Sequence, residues 1–206
     1  MFLQAMTAVA PKKRISPLSL PNILTYGRIA AVPVVVACLF WPDVIWVRWV
    51  AFATFALAAV TDYFDGYLAR AWGQQSSLGR MLDPIADKLL VSACLLMLTA
   101  TGTLTMANLA VWAAIVILCR EILVSGLREF LAELRVSVPV TRLAKWKTTA
   151  QLVAIGFLLA GPAGERVLPG CTVIGLVLLW VSAVVTLYTG YDYFRSGVQH
   201  LLEERE

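Results

Sequence analysis

The sequence predicts an all-α integral membrane protein. Six transmembrane helices should enclose a polar cavity facing the cytoplasm, preceded by a short N-terminal segment at the membrane surface. Three observations carry this reading. The chain is 60% hydrophobic, with mean hydropathy +0.78, against roughly 45–50% apolar residues in a soluble domain. The excess is gathered into six runs; at about 1.5 Å per helical residue these suffice for a hydrocarbon core of about 30 Å. The cations are also shared unevenly between the two sets of turns. A length of 206 residues fits one domain, with no linker, low-complexity stretch or internal repeat.

Residues 1–19 are basic and only moderately apolar, and Lys12, Lys13 and Arg14 follow Val9 and Ala10. A cleaved signal peptide puts its charges before its apolar core, so this segment is expected on the cytoplasmic membrane surface. The membrane domain then occupies 20–198. Its first helix is expected over 22–41, stopped by Trp41-Pro42-Asp43, and its second over 44–71. The third should run from Gly79 to about 101, where Gly102 breaks it, and the fourth over 105–133. The fifth is expected over 142–160, ending at Gly161-Pro162-Ala163-Gly164. The sixth should cover 170–195, before a charged tail at 199–206 that holds Glu203, Glu204, Arg205 and Glu206.

Orientation follows from lysine and arginine. The turns at 41–46, 101–106 and 161–170 share one side of the membrane. With their margins they hold only Arg48 and Arg166 of the seventeen cations. The positive-inside tendency therefore puts both termini and the opposite turns in the cytoplasm. Net charge +4 reflects this topology and is no sign of nucleic-acid binding. The cysteines at 38, 94, 119 and 171 are far apart in apolar settings, with no metal or disulfide spacing. The only histidine, His200, lies in the polar tail, so no Ser-His-Asp or Cys-His nucleophile system can be assembled.

The chemistry gathers between Asp62 and Asp87. A helix turns about 100° per residue, so Asp62, Asp65, Gly66, Ala69 and Arg70 fall within an arc of about 140°. Gly79, Asp83 and Asp87 recur every fourth residue and line one stripe of the next helix. Two helices facing each other through these stripes would bring four aspartates to one place. Ionisable groups at the edge of a membrane helix are costly and mark function. Four carboxylates together call for a hard divalent cation, with Mg²⁺ the first choice and Mn²⁺ the alternative. Helix capping would explain one such aspartate, not four. Pro84 suits a first helical turn, which sets Asp83 near the start of the third helix, where the dipole favours a carboxylate. Gly66 and Gly79 permit close approach of a ligand or of a neighbouring helix.

These residues read D-x2-D-G-x2-A-R-x8-G-x3-D-x3-D without departure, and the pattern resembles the signature of the CDP-alcohol phosphotransferase family. The resemblance implies two metal ions. Asp62 and Asp83 would bridge them, Asp65 would complete one site, and Asp87 would complete the other and accept the proton of an attacking hydroxyl. It also implies that Gly66, Arg70 and Ser76 meet the CDP group. Arg70 is physically apt, because its fork can hold two diphosphate oxygens. Asn22 and Thr25, near the cytoplasmic start of the first helix, could meet the cytidine or the acceptor; Asn22 could equally be an N-cap.

A second cluster bears on the acceptor. Arg120 follows the apolar run Val111 to Cys119, Arg128 lies eight residues on, and Lys145 and Lys147 open the next helix on the same side. Such a group beside a metal site suits a second anion, an acceptor carrying its own phosphate. Attraction to lipid headgroups accounts for Arg135 and Arg142 better than for Arg120. The segments N-I-L-T-x-x-R from Asn22, R-E-x-x-x-S-x-x-R-E from Arg120 and K-x-K-T from Lys145 resemble bacterial members of the family. Those members combine CDP-diacylglycerol with sn-glycerol 3-phosphate. Ala144 departs from the expected glycine before Lys145. The resemblance further implies a homodimer in the bacterial inner membrane. Other acceptors, such as inositol phosphate or serine, remain alternatives within the family. A cation-coupled transporter is the alternative outside it, though no broken helices or related halves favour one.

Overall fold

The computed structural model describes residues 20–72, 77–107, 109–133 and 142–203. Among them are six helices: α1 (Leu20–Leu39), α2 (Ile45–Trp72), α3 (Ser77–Ala100), α4 (Ala110–Glu133), α5 (Arg142–Glu165) and α6 (Cys171–Glu203). The all-helical expectation is met. Four of the helices contain stretches long and apolar enough to cross a membrane: Asn22–Leu39, Ile45–Asp62, Ala110–Glu133 and Cys171–Arg195. The other two carry charge in their opening turns. Arg80, Asp83, Asp87 and Lys88 interrupt α3, and Arg142, Lys145 and Lys147 interrupt α5.

The helices bury both small and large apolar residues between them and turn further large ones outward. Ala51, Ala113 and Ala154 are fully buried, together with Val35, Leu95, Ile117, Leu158 and Leu179. Leu57, Leu96, Ile122 and Val184 stand out from the bundle. Lipid offers those outer side chains as apolar a setting as the core, so close backbone approach takes over as the organising force between membrane helices. The most extensive contacts join α5 to α6, α1 to α2, α4 to α6 and α1 to α3.

Four boundaries differ from the sequence expectation. Helix α4 begins at Ala110 rather than 105, because the chain first closes a turn. Gly102 adopts φ 73°, and the amides of Thr103 and Leu104 both bond to the Leu98 carbonyl at 3.0 Å. Helix α5 breaks at Gly161 (φ 42°, ψ −123°), as its glycine and Pro162 require, but makes one further turn to Glu165. Helix α6 runs past residue 195 to Glu203, since no proline interrupts its last turns. Finally, α3 begins at Ser77, which puts Pro84 inside the helix and Asp83 well beyond its first turn. The helix dipole fades within that turn, so it cannot be what holds Asp83.

Arg48 of α2 fills the break in α5. It is almost wholly buried, its Nε donates to the Pro42 carbonyl at 2.8 Å, and one terminal nitrogen reaches the Leu158 and Leu159 carbonyls at 3.4 and 3.5 Å. A Cβ on Gly161 would lie 2.6 Å from that nitrogen. The carbonyls freed where the helix breaks thus find a donor in an arginine that few other places in the membrane would accept.

Candidate active site

Helix α1 supplies the contacts that hold the carboxylates. Asn22, Thr25 and Arg28 follow one another at intervals of three along one face and are all buried. The Thr25 hydroxyl donates to Asp83 Oδ1 at 2.6 Å, and Arg28 pairs with Asp62 Oδ1 at 2.5 Å. One helix therefore grips the second motif half on α3 and the first on α2. Among the described residues, the extensive contacts of those two motif helices at this end run through α1, not directly from one to the other. The pairing is unequal in exposure: the Arg28 side chain is 1% exposed and that of Asp62 is 42%. The guanidinium is enclosed in protein while the carboxylate stays partly open.

The aspartates converge electrostatically. Asp62 and Asp83 lie close enough to repel each other, as do Asp62 and Asp87, and Asp87 also feels Glu121. Among the described residues no three such groups close on a point as metal ligands do. Asp65 belongs to this set by sequence. It stands on α2 with Gly66 and Arg70, and the side chains of all three are outside the described residues, as is all of Ser76. Gly79 is buried on the first turn of α3. The donor set of Asp62, Asp83 and Asp87 is anionic and all oxygen, which fits a hard divalent cation and no soft one.

The cationic half is built on α4, α5 and α6. Lys147, almost completely buried, pairs with Glu121 Oε1. Arg120 reaches the same oxygen at 3.4 Å and donates from its other terminal nitrogen to Thr189 Oγ1 at 3.1 Å. Space for Arg120 comes from Gly190, where a Cβ would stand 3.0 Å from the arginine Cγ. Arg128 lies over the ring of Tyr193, 5.5 Å from its centroid, in a cation–π contact. Lys145 is on the first turn of α5, with its side chain outside the described residues. One carboxylate thus orients two cations, which leaves net positive charge beside the aspartates.

Three parts of this site were not read from the sequence. Arg28 entered only as a letter of a resemblance, although an arginine one turn from Thr25 inside an apolar helix needs an anionic partner. Glu121 also passed as a motif letter; its pairing with Lys147, twenty-six residues along the chain, has no local signal. Thr189, Gly190 and Tyr193 follow a long apolar run in α6, and the regular spacing of Ser182, Thr186, Thr189 and Tyr193 marks a buried polar stripe.

Comparison with known proteins agrees with this geometry. The family model for CDP-alcohol phosphatidyltransferases matches residues 18–188. The chain is 41% identical over 220 residues to the CDP-diacylglycerol–glycerol-3-phosphate 3-phosphatidyltransferase of Cereibacter sphaeroides, covering 91% of this chain and 99% of that one. It is 44% identical over 178 residues to the enzyme of the same name from Rickettsia bellii, covering 86% and 94%. With that of Pectobacterium atrosepticum the identity is 38% over 187 residues, covering 90% and 98%. A family match of this extent, on a fold that joins the two halves of the aspartate motif through one helix, means that the chain belongs to the CDP-alcohol phosphatidyltransferase family.

Proposed function

We propose that this protein transfers the phosphatidyl group of CDP-diacylglycerol to sn-glycerol 3-phosphate, forming phosphatidylglycerophosphate and CMP. The observation that carries the choice of acceptor is the Arg120–Glu121–Lys147 group beside Asp87, with Lys147 buried and the other two partly so. It agrees with the name shared by relatives at 38–44% identity. Two cations on one carboxylate are short of one negative charge, and an acceptor phosphate supplies it. Arg128 and Lys145 extend the positive field toward the cytoplasm.

Family members generally depend on a divalent metal. Asp62, Asp65, Asp83 and Asp87 would hold two Mg²⁺ ions, which when bound neutralise the diphosphate and the oxygen leaving with CMP. The chain's own groups do the rest. Arg70, with Gly66, Ser76 and Gly79, receives the CDP group, and Asn22 and Thr25 close the α1 side. Arg28 holds Asp62 in place and Thr25 holds Asp83, so that neither carboxylate must be ordered at the moment of reaction. Asp87 takes the proton of the glycerol hydroxyl as that oxygen bonds to the β-phosphorus. The bond from phosphorus to the oxygen of CMP breaks, and the diacylglycerol tails never leave the lipid.

The same reading assigns six crossings, with both termini and the site on the cytoplasmic side of a bacterial inner membrane. It is supported by the four long apolar helices and by the uneven cations. It also includes a homodimer, for which the large apolar outer surface leaves room. The test is CMP release from CDP-diacylglycerol in detergent with Mg²⁺ and glycerol 3-phosphate. Activity should vanish with EDTA and fall by about 100- to 10,000-fold in Asp87→Asn. Full activity in that variant would remove Asp87 from the role of proton acceptor, and activity only with another alcohol would overturn the acceptor.

A further inference from the structure

Behind Asp87 the structure contains a chamber of about 30 Å³, walled by Asp87, Lys88, Ser92, Glu121, Thr148 and Gln151. That volume is about one water molecule or one hydroxyl group. Gln151 is only 4% exposed, and its Oε1 is buried with no hydrogen-bond partner. A buried carbonyl oxygen left in this way is costly unless something that enters the chamber donates to it. Gln151 stands one helical turn beyond Lys147 on the same face of α5. Asp87 faces the same space from α3. The chamber thus lies between the group assigned to the acceptor phosphate and the group assigned to the attacking hydroxyl.

We infer that Gln151 determines acceptor specificity by accepting a hydrogen bond from the secondary hydroxyl of glycerol phosphate. This rests on glycerol 3-phosphate being the acceptor, and says how the site reads it. With the phosphate on Arg120 and Lys147 and the primary hydroxyl at Asp87, the middle carbon passes the mouth of the chamber. Its hydroxyl is small enough to enter and is the donor that Oε1 lacks. A carboxylate at that carbon would meet the like charges of Asp87 and Glu121, which wall the same chamber. A three-carbon acceptor without the secondary hydroxyl leaves the carbonyl unpaired, which is how a site built around a hydroxyl rejects an analogue.

The test compares kcat/KM for glycerol 3-phosphate with that for hydroxypropyl phosphate, the same acceptor without its secondary hydroxyl. Wild type should favour glycerol 3-phosphate by about 10-fold or more. Gln151→Leu should bring the two acceptors to within about twofold, with the KM for CDP-diacylglycerol unchanged. Gln151→Met, unbranched and of similar length, repeats the measurement should the leucine variant fold poorly. A wild type that does not discriminate, or variants that lose both activities equally and keep the ratio, would overturn the assignment and leave glycerol 3-phosphate as acceptor. A wild type silent with glycerol 3-phosphate but active with another alcohol would overturn the acceptor itself.

Discussion

Helix α2 carries a buried arginine contact at each end, and the two are built differently. Near its start, Arg48 spends its donors on the backbone carbonyls of Pro42, Leu158 and Leu159. Near its other end, Asp62 meets Arg28 of α1, a charge against a charge, with the carboxylate still partly open. Backbone carbonyls are fixed and cannot be offered to anything else, so the first contact serves architecture alone. The second holds a carboxylate in position while leaving part of it free for a ligand. The difference separates a residue that maintains the fold from one that prepares a site, although both are arginines in apolar helices.

Paired substitutions can break that contrast. Arg28→Met should have the largest effect, at least about 100-fold on CMP release, the usual cost of removing one preorganised electrostatic group. Its melting temperature should fall less than that of Arg48→Met, because the Asp62 carboxylate is already partly exposed. Arg48→Met should destabilise by about 2–3 kcal/mol, from charge-assisted hydrogen bonds lost and carbonyls left unpaired. The kcat of its folded fraction should stay within about twofold of wild type, since nothing it touches reaches the reacting groups. Thermal melts and initial rates on the same detergent preparations would check both. Equal losses of activity in the two variants would erase the distinction.

The smallest effect sharpens the comparison at the turn near Arg48. Glu165 accepts from the backbone amides of Gly170 and Thr172, both at 2.7 Å, at the start of α6. The bond from Thr172, then that from Gly170, hold its carboxyl below the ordinary value of 4.5. A carboxyl lowered in the folded state stabilises above its unfolded pKa, and that contribution is lost as pH falls through the lowered folded value. Wild type should therefore lose some melting temperature below about pH 4.5 that Glu165→Gln, already lacking the charge, does not lose. Identical acid limbs in the two proteins would show that the cap contributes nothing measurable.

Much of this was legible in the sequence, and the remainder has a common cause. Apolar runs and their glycine and proline stops located the helices, and the spacing of Asp62, Asp65, Asp83 and Asp87 pointed to the candidate site. Arg120 and Lys147 stood out because an apolar run or a helix start cannot hide a charge. What a linear pattern cannot carry is interhelical register. Nothing near Thr25 says that its partner is Asp83, or near Arg28 that its partner is Asp62, fifty-eight and thirty-four places along the chain. The reading of Asp83 as a first-turn residue failed because Pro84 tolerates a helix that has already begun at Ser77. Gln151 gave no signal, since its importance lies in a missing partner that only packing exposes.

The bridging place of α1 has a consequence for how the molecule comes into being. Both partners in the described contacts of Asp62 with Arg28 and of Asp83 with Thr25 have been synthesised by Ala100, the end of α3, before the cationic helices have left the ribosome. The helices that carry the aspartates are then complete while α4, α5 and α6, which carry the cations, are still to be added.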